Sequence, residues 1–203
     1  MKLILTSSGL ETPRLRKELS KMLNRHPSEA KVFVIHSAQK SSHLLYVHKV
    51  GEELARAGIL HPNITYVNIA SAKSAPQIEN YDVVYVCGGN TFYILKKLRQ
   101  LRLDKAINKF VRSGGIYVGV SAGSILAGEY IEIAGWGSEG DSNEVKLKDL
   151  QGLHFTNISV FPHYKERLKR EVLDFKKRVS YPVEILRDKE ALIIEGKRLR
   201  RIK

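Results

Sequence analysis

Short apolar runs alternate with amphipathic segments along the first 120 residues, and this alternation limits the fold more than any other feature of the sequence. The runs are apolar almost throughout, as is typical of strands buried on both faces of a parallel sheet. The segments between them carry apolar residues at helical spacing. Predicted strands cover residues 2–5, 30–38, 63–70, 81–89 and 116–120, and predicted helices cover 11–23, 42–57, 91–100 and 103–115. The sequence therefore predicts an α/β fold with a doubly wound, mostly parallel sheet and helices on both faces.

The pattern changes beyond residue 130. Residues 135–152 are polar and rich in glycine, which indicates a loop or a short hairpin. A strand is predicted at 155–161, and a basic helix at 163–178 whose inner face carries Leu168, Val172, Leu173 and Phe175. Three strands separated by turns at 187–189 and 195–197 are predicted after it. Since no linker or repeat interrupts the sequence, we expect a single domain over residues 1–203.

Composition excludes several classes of protein. No apolar run reaches the roughly 18 residues that a membrane span needs, so no membrane association is expected. The only cysteine, Cys87, excludes an internal disulfide framework and indicates a cytoplasmic protein. The net charge of +13 raises the question of nucleic-acid binding, but no nucleic-acid motif accompanies it, so nucleic acid is not an expected partner. A homodimer is compatible with the sequence.

The strand at 116–120 ends in a Gly-x-Ser-x-Gly pattern formed by Gly119, Ser121 and Gly123. This pattern is typical of a nucleophile elbow, in which a sharp strand-to-helix turn holds the serine hydroxyl above the sheet. Amide groups at the start of the following helix can then bind developing negative charge. A glycine-rich turn used only for packing, or for binding phosphate, is the alternative.

A serine nucleophile needs a base, and two of the seven histidines follow predicted strands. His163 comes directly after the strand that ends in Phe161, so it is the first candidate. His36 also ends a strand and is the second. His43 and His48 share a predicted helix, but their spacing of five does not stack two metal ligands, and neither a metal nor a cofactor is expected.

The base must be oriented by an acid, and hydrolases of this kind use the order serine, acid, histidine. Sequence spacing alone does not choose among the six candidates between Ser121 and His163, which are Glu129, Glu132, Glu139, Asp141, Glu144 and Asp149. The residues CGGNT at 87–91 can supply a second oxyanion amide besides that of Ala122, or act as a turn in which Asn90 or Thr91 caps the next helix.

Four motifs together resemble the peptidase E-like serine peptidases, a family of aspartyl dipeptidases and cyanophycinases. They are LTSSG at 5–9, GGNTFYIL at 88–95, GVSAGS at 119–124 and FPHY at 161–164. The resemblance implies a fold like that of class I glutamine amidotransferases, with serine in place of their cysteine nucleophile.

The resemblance also implies the roles of individual residues. Ser121 is the implied nucleophile and His163 the implied general base, with the backbone amides of Gly89 and Ala122 as the oxyanion hole. The family's acid lies in the loop before the histidine, where Asp141 is the best match and Glu144 and Glu139 follow. Gly88, Asn90 and Thr91, in the same CGGNT segment, are the expected substrate-binding residues.

The expected function is that of a serine peptidase hydrolysing small peptides, with Asp-X dipeptides as one candidate. The sequence PHYKER stands where the dipeptidases have PHYTN or PHFTN, which leaves the preference for an N-terminal aspartate open. Lys165 and Arg167 are the candidate cations for an acidic substrate. Two alternatives remain: a non-catalytic member that binds a ligand or nucleic acid, and an amidase or esterase with the same triad.

Overall fold

The computed structural model describes residues 1–37, 41–74 and 77–203, with side chains for all of these except residues 41–44. Its main sheet has seven strands in the order β3-β2-β4-β5-β1-β8-β9. The first five are mutually parallel, while β8 and β9 are antiparallel to their neighbours. The strand bounds are β1 Lys2–Thr6, β2 Val32–His36, β3 Ile64–Asn68, β4 Val83–Val86, β5 Ile116–Val120, β6 Ser159–Phe161, β7 Val183–Ile185, β8 Ala191–Glu195 and β9 Arg198–Ile202. The predicted α/β fold with a mostly parallel sheet is confirmed.

Helices cover both faces of this sheet and bury a separate apolar core on each. One core includes α1 and α2 residues such as Leu15 and Leu54, and the other includes Leu95 and Ile107 from the helices after β4. The helix bounds are α1 Pro13–Met22, α2 Ser41–Arg56, α3 Thr91–Gln100, α4 Leu103–Arg112, α5 Ala122–Leu126 and α6 Lys169–Lys176. Because side chains alternate across a strand, the fully buried runs seen in the sequence require this cover on both sides.

The part of the chain beyond β5 departs most from the predicted elements. The strand predicted at 155–161 is reduced to β6, which pairs with β7 in a separate two-stranded parallel sheet. The helix predicted at 163–178 begins only at Lys169, after a single 3-10 turn at Glu166–Leu168. Leu173, expected on its inner face, is 48% exposed, whereas Val172 and Phe175 are buried.

The strand order brings four segments to one edge of the sheet. The carboxyl ends of β4, β5 and β1 are neighbours there, so the loops after Val86, Val120 and Thr6 meet. Strand β8 runs antiparallel to β1, and its first residue, Ala191, is paired with Thr6. The turn between β7 and β8 therefore joins the same edge, which is where ligands bind in open α/β sheets.

Within the described residues, the helices lack the combination of length and apolarity that crossing a membrane requires.

Candidate active site

The turn after β5 holds Ser121 in a strained backbone conformation, with φ 51° and ψ −109°. The two flanking glycines make this turn sterically feasible. A Cβ on Gly119 would lie 2.5 Å from the carbonyl oxygen of Gly123, and a Cβ on Gly123 would lie 2.3 Å from that of Val86. The Ser124 hydroxyl then secures the turn, because its Oγ lies 2.7 Å from the carbonyl oxygen of Thr6 and 2.8 Å from that of Gly119 and its one proton can go to either. The arrangement has the geometry of a nucleophile elbow.

Ser121 and His163 meet above the sheet. The Ser121 Oγ lies 3.0 Å from the His163 Nε2, within hydrogen-bond distance, so the hydroxyl can give its proton to the imidazole. The backbone of His163 also has a positive φ of 54°, and its N–H donates to the Ser7 Oγ at 2.8 Å. The sequence therefore predicted correctly which histidine lies next to the serine.

The carboxylate on the other side of the ring belongs to Asp188, in the turn between β7 and β8. Its Oδ1 lies 2.7 Å from the His163 Nδ1 and accepts a second hydrogen bond from the Ser7 hydroxyl at 3.2 Å. Burial alone would raise the pKa of Asp188, but the hydrogen bond and charge of His163, with smaller contributions from Ser7 and Lys165, bring it below its usual value. Asp188 therefore stays ionised and can hold the imidazole with Nδ1 protonated and Nε2 free to accept.

This geometry corrects the expectation that Asp141, Glu144 or Glu139 contacts the imidazole. Asp141 lies at the start of α3, where its Oδ2 accepts from the Thr91 N–H at 2.8 Å. Glu139 forms an ion pair with Arg167, and Glu144 lines a cavity beside Ser121. The expected acid lies between Ser121 and His163 in the sequence, whereas the carboxylate that contacts the imidazole follows the histidine. The sequence feature that could have indicated Asp188 is the predicted turn at 187–189, because it places an aspartate just before a predicted strand.

The loop after β4 lies beside Ser121 and carries the predicted oxyanion residues. Gly88 packs so closely that a Cβ there would lie 3.3 Å from the Ser121 Cβ. Gly89 has a φ of 143°, and a Cβ on it would lie 2.9 Å from the Ser37 Oγ. Among the described residues, no hydrogen-bond acceptor is paired with the N–H of Gly89 or of Ala122. Asn90 caps α3 by accepting from the Tyr93 N–H, so the helix-cap interpretation of this loop also holds.

Two cavities open beside the serine and the histidine. The larger cleft has a volume of about 620 Å³ and is lined by residues that include Ser8, Tyr46 and Glu144. The smaller pocket has a volume of about 330 Å³, and Asp141 and Lys165 are among its lining residues. Ser121, His163 and Gly89 belong to both linings, so a bound molecule in either cavity reaches the serine.

The other nucleophile and base candidates, Cys87 and His36, line the larger cleft. Burial raises the pKa of the Cys87 thiol far above its usual value, which leaves it a packed, un-ionised side chain. His36 lines the larger cleft, and burial lowers its pKa, so it favours the neutral form. The side chain of His43, considered with His48 for a metal, lies outside the described residues. The described residues contain no group of three His, Cys, Asp or Glu side chains that could together hold a metal ion.

Comparison with known proteins identifies the family. The family model for peptidase family S51 matches residues 3–202. The chain belongs to peptidase family S51. This S51 chain is 27% identical to an uncharacterized peptidase of Listeria monocytogenes over 161 residues, which covers 75% of each protein. It is 32% identical to peptidase E of Shigella flexneri over 126 residues, which covers 61% of this chain and 50% of that protein.

The fold has a counterpart among crystal structures. A Listeria monocytogenes protein assigned as a peptidase E superposes with a TM-score of 0.80 at 24% identity, covering 100% of this S51 chain and 98% of its own. The resemblance to peptidase E-like proteins inferred from the four motifs is confirmed, and the chain is a peptidase.

Proposed function

We propose that this S51 peptidase cleaves small peptides through an acyl-enzyme formed on Ser121, with His163 as general base and Asp188 as the acid that orients it. One observation carries the proposal: the three groups form a continuous hydrogen-bonded chain, 3.0 Å from Oγ to Nε2 and 2.7 Å from Nδ1 to the carboxylate. A nucleophile, a base and an orienting acid linked in this way constitute the minimal apparatus for acyl transfer.

In the first half of the reaction, Ser121 attacks the scissile carbonyl carbon while its proton moves to the His163 Nε2. The carbonyl oxygen becomes an oxyanion, which the N–H groups of Gly89 and Ala122 bind. Asp188 stabilises the imidazolium that has formed. His163 then gives the proton to the leaving nitrogen, the carbon–nitrogen bond breaks, and the acyl group remains on Ser121.

In the second half, a water molecule takes the place of the departed amine. His163 removes a proton from this water as its oxygen attacks the acyl carbon. The second oxyanion collapses, the proton returns to the Ser121 Oγ, and the carboxylic acid product leaves. Each proton passes through Nε2, so the tautomer imposed by Asp188 is needed in both halves.

Asp-X dipeptides remain the finer candidate for substrate, and Lys165 is the residue that favours them. Lys165 lines the smaller pocket, and within the described residues no carboxylate lies within ion-pair distance of its ammonium group. Arg167, the other candidate cation, is already paired with Glu139. Comparing Asp-X, Asn-X and Leu-X dipeptides tests this. Lys165→Met should raise KM for Asp-X selectively, and equal effects on all three would remove Lys165 from the proposal.

An active-site label separates peptidase activity from the alternative of a non-catalytic binding protein. A fluorophosphonate probe should label Ser121, and the His163→Ala variant should label far more slowly because the serine loses its base. Salt-sensitive retention on nucleic acid without any labelling would instead favour the binding protein. Cleavage of simple esters or amides without any peptide turnover would favour an amidase or esterase.

Location and assembly complete the proposal. We expect a cytoplasmic enzyme, since the single cysteine is buried and suits a reducing compartment. A homodimer is the proposed assembly, and light scattering of the purified protein would distinguish it from a monomer. Neither property enters the chemistry above.

A further inference from the structure

We propose that Glu53 is a positioning residue for the catalytic groups, although it lies outside the lining of both cavities beside the nucleophile. It acts through the loop at residues 7–10, whose first residue, Ser7, contacts His163 and Asp188. The inference rests on the proposed function, because the placement of these groups matters only if the serine attacks a substrate. It gives a role to a buried carboxylate that the mechanism above does not use.

This loop directly follows β1, and its first two residues hold the base and the turn that carries the acid. The Ser7 Oγ accepts from the His163 N–H at 2.8 Å and donates to the Asp188 Oδ1 at 3.2 Å. The Ser8 Oγ accepts from the Lys189 N–H at 3.0 Å. A displacement of the loop would therefore move the imidazole and its carboxylate partner away from their present distances.

The last two residues of the loop lie against Glu53, on α2. The Leu10 N–H donates to the Glu53 Oε2 at 2.8 Å. Gly9 has a φ of 108°, and a Cβ on it would lie 2.8 Å from the same oxygen, so the carboxylate packs directly on the loop backbone. The Gly9 N–H also donates to the Thr6 Oγ1 at 3.0 Å, which closes the loop into a compact turn. A shift at Leu10 is consequently passed on to Ser7.

Glu53 has little compensation for its burial. It is 3% exposed, and its only other hydrogen-bond partner among the described residues is the Tyr85 hydroxyl at 3.4 Å. Lys49, one turn earlier on α2, is paired with Glu11, and no cation in the described ranges lies within ion-pair distance of Glu53. Burial raises the pKa of the Glu53 carboxyl, and the Leu10 N–H and the charge of Lys49 only partly oppose this. Such a carboxylate adds little to stability, so holding the loop is the role that fits its position.

Glu18, on α1, is a matched control for Glu53. It is also a buried carboxylate, with 5% of its surface exposed. Its partners are two cations, Lys21 at 2.7 Å and Arg200 at 2.8 Å, and the second of these lies on β9, at the edge of the sheet. Shortening this side chain should therefore reduce stability and leave the catalytic groups in place.

The test uses two substitutions that separate the contact from the charge. Glu53→Gln keeps an oxygen within reach of the Leu10 N–H and removes the charge, whereas Glu53→Asp keeps the charge and withdraws the oxygen by one methylene. We expect Glu53→Asp to lower kcat about tenfold with KM within about twofold, because the catalytic groups lose their alignment. Glu53→Gln should keep kcat within about threefold, and Glu18→Asp should lower only the midpoint of chemical denaturation. Steady-state kinetics on Asp-X dipeptides and the rate of fluorophosphonate labelling of Ser121 are the two readouts.

Coupling to Ser7 shows whether Glu53 acts through the loop. Ser7→Ala alone should lower kcat about tenfold, because it removes the contact with the imidazole backbone and with Asp188. Adding Glu53→Asp should then lower kcat by less than about threefold more, since the contact through which Glu53 acts is already lost. Losses that multiply to about 100-fold would show that the two residues act independently, which would overturn the inference.

Gly9→Ala probes the same contact from the loop side, and it decides the matter if Glu53→Asp does not fold. The added Cβ would lie 2.8 Å from the Glu53 carboxylate, in a backbone conformation that alanine rarely adopts. Gly58, just after α2, has a comparable φ of 91°, so Gly58→Ala introduces similar strain away from the loop. We expect Gly9→Ala to lower kcat about tenfold and Gly58→Ala to lower stability alone.

Three results would contradict a positioning role. They are a wild-type kcat in folded Glu53→Asp, an equal loss of kcat in Glu18→Asp, and a greater loss in Glu53→Gln than in Glu53→Asp. Failure of the proposed function looks different. If the wild-type protein neither reacts with fluorophosphonate at Ser121 nor cleaves any peptide, the catalytic assignment fails and the role of Glu53 falls with it. If the wild-type protein does both and the Glu53 variants match it, only the inference about Glu53 is wrong.

Discussion

Asp188 and Asp141 both line the smaller pocket beside Ser121, but they are held by different parts of the fold. Asp188 lies in an exposed turn that β8 brings to the end of β1, and it contacts the imidazole. Asp141 lies in a long loop attached to the start of α3, and it contacts a backbone amide. The difference shows that the pairing of β8 with β1 determines which carboxylate contacts the imidazole. The number of residues between a carboxylate and Ser121 does not determine it.

The largest expected effect comes from removing Ser121, the proposed nucleophile, which lines the same pocket as both aspartates. Ser121→Ala should lower kcat by about 10⁴-fold or more, because the nucleophile is lost. Ser121→Gly should be equally inactive but more stable than Ser121→Ala by about 1 kcal/mol, since glycine tolerates a φ of 51°. Peptidase assays and thermal unfolding check both statements. Residual turnover within tenfold of wild type would show that another residue attacks the substrate.

The two aspartates themselves give the next largest difference. Asp188→Asn should lower kcat by about 10³-fold on every substrate, because the amide no longer holds the tautomer that the base requires. Asp141→Asn should lower kcat by less than about tenfold, because Asp141 contacts the Thr91 N–H and not the imidazole. Steady-state kinetics on the same dipeptide substrate measures both variants. A greater loss in Asp141→Asn than in Asp188→Asn would reverse the assignment of the two residues.

Ser7 directly follows β1 and contacts both His163 and Asp188. Its substitution should have a smaller effect on activity than that of Asp188. Its buried hydroxyl accepts from the His163 N–H and donates to Asp188, so it positions both residues. Ser7→Ala should lower kcat about tenfold and destabilise the fold by about 1–3 kcal/mol, since a backbone N–H loses its partner. Chemical denaturation and kcat measurements separate the two effects. Ser8→Ala, which removes a hydroxyl bonded to the Lys189 N–H, is the neighbouring control.

The smallest expected effect is the contribution of Asp188 to the pH dependence of kcat/KM. Asp188 has a lowered pKa, so it loses its proton at a lower pH than an ordinary aspartate and stays ionised through the weakly acidic range. The acid side of the kcat/KM profile should therefore have a slope of one on a logarithmic plot, because Asp188 is already ionised there and contributes no second proton. A slope of two would mean that a second group, such as Asp188, titrates together with the base.

Much of the fold follows from local sequence patterns. The runs at 2–5 and 116–120 are apolar at every position after Lys2 apart from a glycine, which fits only strands covered on both faces, and they became β1 and β5. The elbow was predictable because Gly119 and Gly123 flank a serine at a strand end, where a side chain would collide with backbone. His163 was predictable because it follows a strand.

The position of Asp188 depends on information that local patterns do not carry. It reaches His163 only because β8 pairs antiparallel with β1, with Thr6 opposite Ala191. The apolar residues of β8 would suit a parallel strand equally well, and that pairing would place its first residue at the opposite edge of the sheet. The separate β6–β7 sheet was missed for a similar reason, because a three-residue strand has too short a pattern to identify its neighbour.

The antiparallel attachment of β8 also sets the order in which the enzyme can become competent during its synthesis. A ribosome releases the elbow and the histidine well before it releases the turn at 187–189 and the strand that anchors it. A nascent chain therefore carries a serine whose base has no orienting acid until β8 docks beside β1. Arrested chains that stop at residue 187, before Asp188 and β8, should therefore react with an active-site probe only slowly.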